Sequence, residues 1–243
     1  MLLEICASNY QSAINAEKAG AHRLELCSEL AIGGITPSQG FIKKVLDAVS
    51  IPVFVLIRPR SGNFIYSDAE LDIMKSDISV CKELGCAGIV SGILNPDNTV
   101  DLQRTKELVE LSRPMSFTFN RAFDWTPNPY ETMKQLIELN VNRILTSGQE
   151  SSAEKGIFAL QQLNKLANGK IGILPAGGIH PDNVLVFKGG GFGEIHASAV
   201  LPTVLIAAPK VPLNSAKFFD ETNDYTSNKE LIQSIITQIN DKT

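Results

Sequence analysis

The chain has 243 residues, of which 44% are hydrophobic and 20% charged, and this composition is sufficient for a large buried core. The net charge is −4 and no basic run is present, which argues against nucleic acid as a partner. No apolar stretch approaches the roughly 18 residues of a membrane span. Because the first predicted strand starts right after Met1, we expect no signal peptide. The four cysteines then indicate reduced thiols in the cytoplasm rather than a disulfide scaffold.

Strand-like and helix-like segments alternate along the chain. Apolar runs predict eight strands, at 2–6, 23–27, 53–57, 88–91, 115–119, 143–146, 171–174 and 194–197. Helical spacing and capping residues predict seven helices between them, at 10–19, 37–49, 68–84, 101–111, 129–139, 152–167 and 182–188. This repetition favours an α/β fold, a single-domain TIM (β/α)8 barrel, over an open doubly wound sheet, whose first turn would more often carry a glycine-rich nucleotide fingerprint.

The last part of the chain departs from this repetition. We assign residues 1–200 to the barrel and residues 201–243 to an irregular connection plus a C-terminal helix of the same domain. Residues 201–228 show little periodicity and no clean strand, and the final helix is predicted at about 227–239. The long connection at 201–225 is interpreted as a functional loop or a partner-binding segment, which makes a homo-oligomer a hypothesis to test.

Two short segments, Leu-Glu-Ile-Cys ending at Cys6 and Leu-Glu-Leu-Cys ending at Cys27, place an acid and a thiol on the same face of successive strands. In a barrel the leucines and isoleucines pack outward against helices, so Glu4 and Glu25 point inward with the two thiols. Strand parity also turns Arg58 inward, where we expect it to pair with Glu25. These charges form either an ionic plug or part of a functional site.

The two thiols leave three alternatives open. Neighbouring strands lie about 4.8 Å apart, so Cys6 and Cys27 are predicted to approach each other. Two thiolates could hold a soft ion such as Cu(I). They could instead form a disulfide, which the cytosol opposes, or be small buried apolar residues. We interpret Cys81 and Cys86, on or just after a helix, as structural.

Polar residues also follow the other strands, at the barrel end that carries chemistry in this fold. His196 ends the eighth strand, and with Glu4 and Glu25 it is a candidate for acid–base catalysis. The loop after the third strand carries Phe64 and Tyr66, as expected of a loop that closes over a pocket. The candidates for binding a small anionic molecule are Arg58, Arg60, Asn120, Arg121, Gly177 and Gly178.

Several longer motifs resemble those of the CutC family, known as copper homeostasis proteins. They are LEIC, AGAHRLELC, GGITPSQG, IPVFVLIRPRSGNFIYSDAE, RAFDWTPNP, LTSGQ, PAGGI and EIHASA, and together they span about residues 2–199. The resemblance implies a TIM barrel and copper ligands at Cys6 and Cys27. It also implies a polar pocket formed by Glu4, Glu25, Arg58, Arg60 and His196.

One residue departs from the family pattern. The fifth strand of the family usually ends in a histidine, and this chain has Asn120 in that place. An amide is neither a proton shuttle near neutral pH nor a good ligand for a soft metal. The resemblance therefore implies copper handling through the thiols, with Cu(I) as the ion. The arginines and carboxylates suggest an alternative, a barrel enzyme acting on a small phosphorylated or sugar-like anion.

Overall fold

The computed structural model describes residues 1–204, 211 and 223–241. Eight parallel strands form a nearly closed barrel, in which the first seven strands each pair with their neighbours in chain order and the first also pairs with the eighth. The seam lies between the seventh and eighth strands, which contact each other at the two ends of the hydrogen-bonded order. The strands are β1 (Leu2–Ala7), β2 (Arg23–Leu26), β3 (Val53–Leu56), β4 (Gly88–Ser91), β5 (Ser116–Phe119), β6 (Arg143–Thr146), β7 (Gly172–Pro175) and β8 (Glu194–Ala197). The predicted TIM barrel is confirmed.

Helices follow the strands and cover the outside of the barrel. They are α1 (Tyr10–Ala19), α2 (Gln39–Leu46), α3 (Asp68–Glu83), α4 (Leu102–Ser112), α5 (Pro129–Glu138), α6 (Ile157–Ala167), α7 (Val184–Gly189) and α8 (Lys229–Asn240), with 3₁₀ turns at Leu30–Ile32 and Arg121–Trp125. Most boundaries follow from capping, as at α3, where Ser67 and Glu70 form a capping box. In the described residues no helix combines the length and apolar character that a membrane crossing requires.

Several helices begin later than predicted, and the structure shows the reason for α2 and α6. α2 starts at Gln39 instead of residue 37, because the Ser38 side chain accepts a hydrogen bond from the Phe41 amide and caps the helix. α6 starts at Ile157 instead of residue 152, because the preceding residues form turns that pack against the barrel end. There the Ala153 amide donates to the Gly177 carbonyl at 2.9 Å.

The prediction that the segment after the barrel has no clean strand is wrong for its two ends. β9 (Val200–Val204) and β10 (Asn223–Ser227) form an antiparallel pair. The Ser227 amide donates to Ser12 Oγ at 2.9 Å, which fastens β10 to helix α1. The two strands of this pair are far apart in sequence and are not joined by a short turn, so the sequence has no local hairpin signal that would predict them. The rest of the predicted connection lies outside the described residues.

The alternation of strand residues separates two apolar layers, as predicted. Leu3 and Ile5 of β1 are fully buried, and they belong to the large core between the strands and the helices. A second, smaller cluster fills the barrel interior. It consists of Cys6, Cys27, Phe54, Leu56, Val90, Leu145, Leu174 and Ala176.

The lower half of the interior is closed by a group that we call the basal plug, defined as Glu4, Arg23, Phe54, Arg143 and Glu194. Arg23 forms ion pairs with Glu4 and with Glu194, the latter at 2.7 Å, and Arg143 Nε lies 3.2 Å from Glu194. The guanidinium carbons of Arg23 and Arg143 lie 4.9 and 4.7 Å from the centre of the Phe54 ring. Charges that are paired and stacked in this way can be kept in an interior.

A glycine makes room for this arrangement. A Cβ added to Gly88 of β4 would lie 2.5 Å from the Phe54 ring, closer than side-chain atoms approach one another. The ring can therefore lie across the barrel only because its neighbour on β4 has no side chain.

Candidate functional site

A cavity of about 490 Å³ opens at the carboxyl ends of the strands, the end at which TIM barrels carry their sites. Glu4 lies below the cavity in the basal plug, and Arg60 lies outside the cavity lining. The structure brings the other predicted site residues together in this lining. They are Cys6, Glu25, Cys27, Arg58, Asn120, Arg121, Gly177, Gly178 and His196.

The two thiols lie next to each other at the floor of the cavity. Cys6 Sγ and Cys27 Sγ are 3.5 Å apart, and both residues are buried and free of disulfides. Gly34, with a φ of 82°, carries the following loop past them, and a Cβ there would lie 3.1 Å from Cys27 Cβ. The hydrogen bond with Cys27 is the first cause that raises the pKa of the Cys6 thiol, and burial and the neighbouring Glu25 and Glu4 add to it.

A chain of three ionisable groups runs from the basal plug to the cavity. His196 Nδ1 lies 2.7 Å from Glu4 Oε1, and His196 Nε2 lies 3.5 Å from Glu25 Oε2. The barrel closure explains this order, because the register of β1 with β8 places Glu4 opposite His196, and that of β1 with β2 places Cys6 opposite Glu25. A carboxylate on one imidazole nitrogen fixes the ring and leaves the other nitrogen for the cavity.

The two glutamates of this chain differ in their acidity. Burial would raise the pKa of Glu4, but the hydrogen bonds and charges of His196 and Arg23 outweigh it and lower the pKa to about 2. Burial raises the pKa of Glu25 to about 7, only partly offset by His196. Burial acts to lower the pKa of His196, yet Glu4 and Glu25 raise it overall. Near neutral pH, Glu4 is therefore a fixed charge, whereas Glu25 is suited to exchange a proton.

Three ligand atoms of different kinds converge on the cavity floor. The donor atoms of Cys6, Glu25 and His196 all lie within 4.8 Å of one another. With Cys27 adjacent to Cys6, this gives two sulfur donors, one imidazole and one carboxylate. Thiolates favour soft ions such as Cu(I), and imidazole suits copper and zinc. The donor set of this floor therefore fits a copper ion.

Arg58 and Arg60 do not take the positions that the sequence suggested. Arg58 is buried, but it donates to the carbonyls of Ile32, Gly34 and Gly62 at 3.0, 2.8 and 2.7 Å instead of pairing with Glu25. Strand parity gave the correct face, but the long side chain turns toward the loop carbonyls above it.

Arg60 has a structural role in the loop after β3. Its guanidinium pairs with Glu70 at 2.5 Å and donates to the Ile65 carbonyl at 2.6 Å. The interaction connects this loop to the start of α3. Phe64 of the same loop lines the cavity, as predicted, and makes an edge-on contact with Trp125 at a centroid distance of 5.1 Å. Tyr66 is buried and does not line the cavity.

Asp124 was missed from the sequence, although it organises one wall of the cavity. Its carboxylate accepts hydrogen bonds from Thr146 Oγ1 at 2.5 Å, from the amides of Ser147 and Gln149, and from Arg121 Nε at 2.8 Å. The signal was present, because the motifs RAFDW and LTSGQ follow neighbouring strands and each is rich in groups that could bond the other.

The predicted residues near this wall divide into two roles. Asn120 accepts a hydrogen bond from the Ala122 amide at 3.0 Å and so caps the 3₁₀ turn that follows β5. Arg121 donates through Nη2 to Ser147 Oγ at 2.8 Å and borders the cavity. Gly177 and Gly178 adopt φ angles of 106° and 74°, which only glycine accepts readily, and form the turn opposite Arg121.

Comparison with known proteins shows the family that the sequence motifs resemble. The model of the CutC family matches residues 1–201. The mouse (Mus musculus) copper homeostasis protein cutC homolog is 45% identical over 199 residues, which cover 82% of this chain and 73% of that protein. The family protein CutC of Proteus mirabilis is 41% identical over 233 residues, which cover 95% and 93% of the two chains.

A solved structure shares the fold as well. The crystal structure of the putative copper homeostasis protein CutC from Streptococcus agalactiae has a TM-score of 0.77 and 35% sequence identity to this chain. The match covers 82% of this chain and 98% of that one.

Proposed function

Because the chain belongs to the CutC family, we propose that it is a copper homeostasis protein that binds Cu(I) through Cys6 and Cys27. The observation that supports this proposal best is the separation of 3.5 Å between the two sulfur atoms on the floor of an open cavity. Cys6 lies in β1 and Cys27 directly follows β2, and these strands pair with each other, so the barrel itself holds the two thiols together. Such a preformed pair suits a soft ion, because little ordering is needed on binding.

The neighbours of the thiols set how the ion would bind. The raised pKa of Cys6 means that this thiol is protonated at neutral pH, so an entering ion must displace a proton. Glu25 and the free nitrogen of His196 are close enough to complete the coordination or to receive that proton. We therefore expect the affinity for copper to rise with pH.

The test is anaerobic titration of the reduced protein with Cu(I) in the presence of a chromogenic chelator. We expect one Cu(I) per chain, and we expect the double variant Cys6→Ser, Cys27→Ser to lose it. The matched control is Cys81→Ser, Cys86→Ser, which removes two buried cysteines that lie outside the cavity lining. Unchanged binding in the first variant, or equal loss in the control, would contradict the proposal.

A second candidate function, acid–base catalysis on a small molecule, is favoured by the Glu4–His196–Glu25 chain. A carboxyl with a pKa of about 7 beside an oriented imidazole is suited to move a proton at a bound substrate. Carbon-13 NMR of labelled glutamate tests its premise. A Glu25 carboxyl that titrates near its ordinary value would remove this candidate.

We also propose a cytoplasmic location, which reduced, buried thiols support. A homo-oligomer assembled through the segment at 201–225 remains a hypothesis. Light scattering on the full chain and on a variant lacking residues 205–222 tests it, and an unchanged mass per chain would remove it.

A further inference from the structure

The turn after β7 contains backbone donors that have no partner among the described residues. Within the described residues the amides of Gly177, Gly178 and Ile179 donate to no other group, although the Gly177 and Gly178 carbonyls both accept hydrogen bonds. All three residues line the cavity. Buried backbone amides are almost always paired, so three successive amides without a protein partner in the wall of an open cavity are available to water or a ligand.

Arg121 adds a cation to these amides. Its Nε and Nη2 are held by Asp124 and Ser147, each at 2.8 Å. Its Nη1 has no partner in the described part of the chain, and it lies 3.5 Å from the position that a Cβ on Gly177 would occupy. The guanidinium is thus fixed beside the glycine turn, with one donor still free for a ligand.

Two further charged residues of the cavity lining, Asp124 and Arg58, do not oppose an anion. The Asp124 carboxylate accepts from Thr146, Ser147, Gln149 and Arg121, so its charge is already compensated. Arg58 lies in the same cavity lining and, among the described residues, forms no ion pair. Arg58 is therefore a buried cation of the lining without a counterion, whereas Glu25, the other carboxyl of the lining, lies beside His196 and Cys6, and this balance favours an anionic ligand at the turn.

From these contacts we propose that Gly177, Gly178, Ile179 and Arg121 form a binding site for the phosphate group of a small phosphomonoester. The positive φ angles of two successive glycines form a tight turn, and turns with successive unpaired amides can cradle phosphate oxygens. The turn also follows β7, where TIM barrels frequently bind phosphate. Four donors suit a phosphate, which has three oxygens to receive them.

The cavity has room for the rest of such a molecule. Its volume of about 490 Å³ is in the range of small-molecule sites, and its lining also includes apolar side chains such as Leu56 and Leu145. This inference rests on the proposed acid–base function, because that function supplies the group that would react with the bound molecule. The phosphate site itself depends only on the contacts of the turn and Arg121.

The test is a nitrogen-15 NMR titration of the full chain with inorganic phosphate and, separately, with glycerol phosphate, at constant ionic strength. We expect saturable shifts of the Gly177, Gly178 and Ile179 amides. Gly169 is the internal control, because it also has a φ of 74° and precedes the opposite end of β7. Acetate, a carboxylate, is expected to bind more weakly than phosphate. Equal shifts at Gly169, or no saturation, would overturn the proposal.

Two variants of Arg121 test whether this residue supplies the positive charge of the phosphate site. Replacing Arg121 by Gln is expected to weaken phosphate binding about tenfold or more, since a charge-assisted hydrogen bond contributes at least ~1.4 kcal/mol. Arg121→Lys, which keeps the charge, should lose less, and Lys170→Gln, which removes an exposed charge before β7, should lose nothing. Unchanged affinity in Arg121→Gln would show that the arginine has no part in the site.

The same titration separates this proposal from the proposed function. Phosphate binding is expected to persist in Cys6→Ser, Cys27→Ser and in Glu25→Gln, because neither change touches the glycine turn. Copper binding without phosphate binding would overturn only the phosphate site. Phosphate binding without copper binding would overturn only the copper site.

Discussion

The two halves of the barrel interior use similar residues in different ways. In the basal plug, two glutamates and two arginines are paired with one another around a single aromatic ring. Two residues further along the same strands, Cys6 and Glu25 face a cavity, and Glu25 has a perturbed acidity instead of an ion pair with arginine. Buried charge therefore supports the fold at the lower end and remains available to ligands at the upper end.

His196 connects the two halves. One nitrogen of its ring contacts Glu4 in the plug, and the other faces Glu25 at the cavity. The plug thus orients a group of the candidate site, in the way that a carboxylate behind a histidine fixes its tautomer. We therefore expect substitutions in the two halves to have different effects.

The largest expected effect is on the plug. Arg23→Met leaves Glu4 without its arginine partner and takes one of the two arginines from Glu194, so we expect it to lower the free energy of unfolding by about 3–5 kcal/mol. Urea unfolding followed by circular dichroism measures this. The matched control is Lys106→Met, which breaks an exposed pair with Glu110 at 3.9 Å and should cost less than about 1 kcal/mol. Similar losses in both variants would contradict the assigned role of the plug.

The second effect is a pH dependence of opposite sign at the two glutamates. Because the pKa of Glu25 is raised to about 7 in the folded protein, ionising it opposes folding, so its contribution to stability falls as pH rises from about 4.5 to 7. The fall is at most about 3 kcal/mol, at 1.36 kcal/mol per pKa unit. Glu4, with its pKa lowered to about 2, stabilises the protein above pH 4.5 and loses this effect as pH falls toward 2.

Urea unfolding at several pH values tests this difference, with Glu25→Gln and Glu4→Gln as the two variants. We expect Glu25→Gln to flatten the upper part of the stability profile and to leave the acidic part unchanged. The raised pKa of His196 acts in the same direction as that of Glu25, so some fall should persist in this variant. A profile identical to that of the unmodified protein would show that Glu25 ionises normally.

The sequence predicted the layers of the barrel better than the partners within them. A period of two in LEIC and LELC was enough to place Glu4, Cys6, Glu25 and Cys27 in the interior, because strand parity depends only on local geometry. The barrel then brings the two thiols together, since their strands are consecutive. These parts of the candidate site could be derived from the chain alone.

The ion pairs could not be derived in the same way. Arg58 was expected to pair with Glu25, but parity gives the face of a residue and not the direction in which a long side chain extends. Arg23 is the arginine that contacts Glu4, but it lies at the start of its strand. The sequence prediction considered only residues at the carboxyl ends of the strands and therefore did not include it. The connection from Glu4 to His196 depends on closure between the first and last strands, which only the complete fold provides.

The third effect tests the packing of the plug. Gly88→Ala places a methyl group against the Phe54 ring, and such overpacking is expected to cost about 1–3 kcal/mol in unfolding experiments. Gly193→Ala is the control, because a Cβ there meets nothing within 4 Å. In a background with Phe54→Leu the cost of Gly88→Ala should shrink, since the smaller side chain leaves space. A cost that is independent of residue 54 would place the strain elsewhere.

The smallest effect concerns Asn120, which lies at the cavity where the family usually has histidine. Its side chain caps a 3₁₀ turn, so Asn120→Ala should lower the free energy of unfolding by about 1 kcal/mol, and Asn120→Asp, which keeps the cap, should lose less. Copper affinity should not change, because an amide is a poor ligand for a soft ion. Parallel unfolding and chelator-competition measurements distinguish a capping role of Asn120 from a role in copper binding. Loss of copper affinity without loss of stability in Asn120→Ala would show that this residue takes part in copper binding and not in capping.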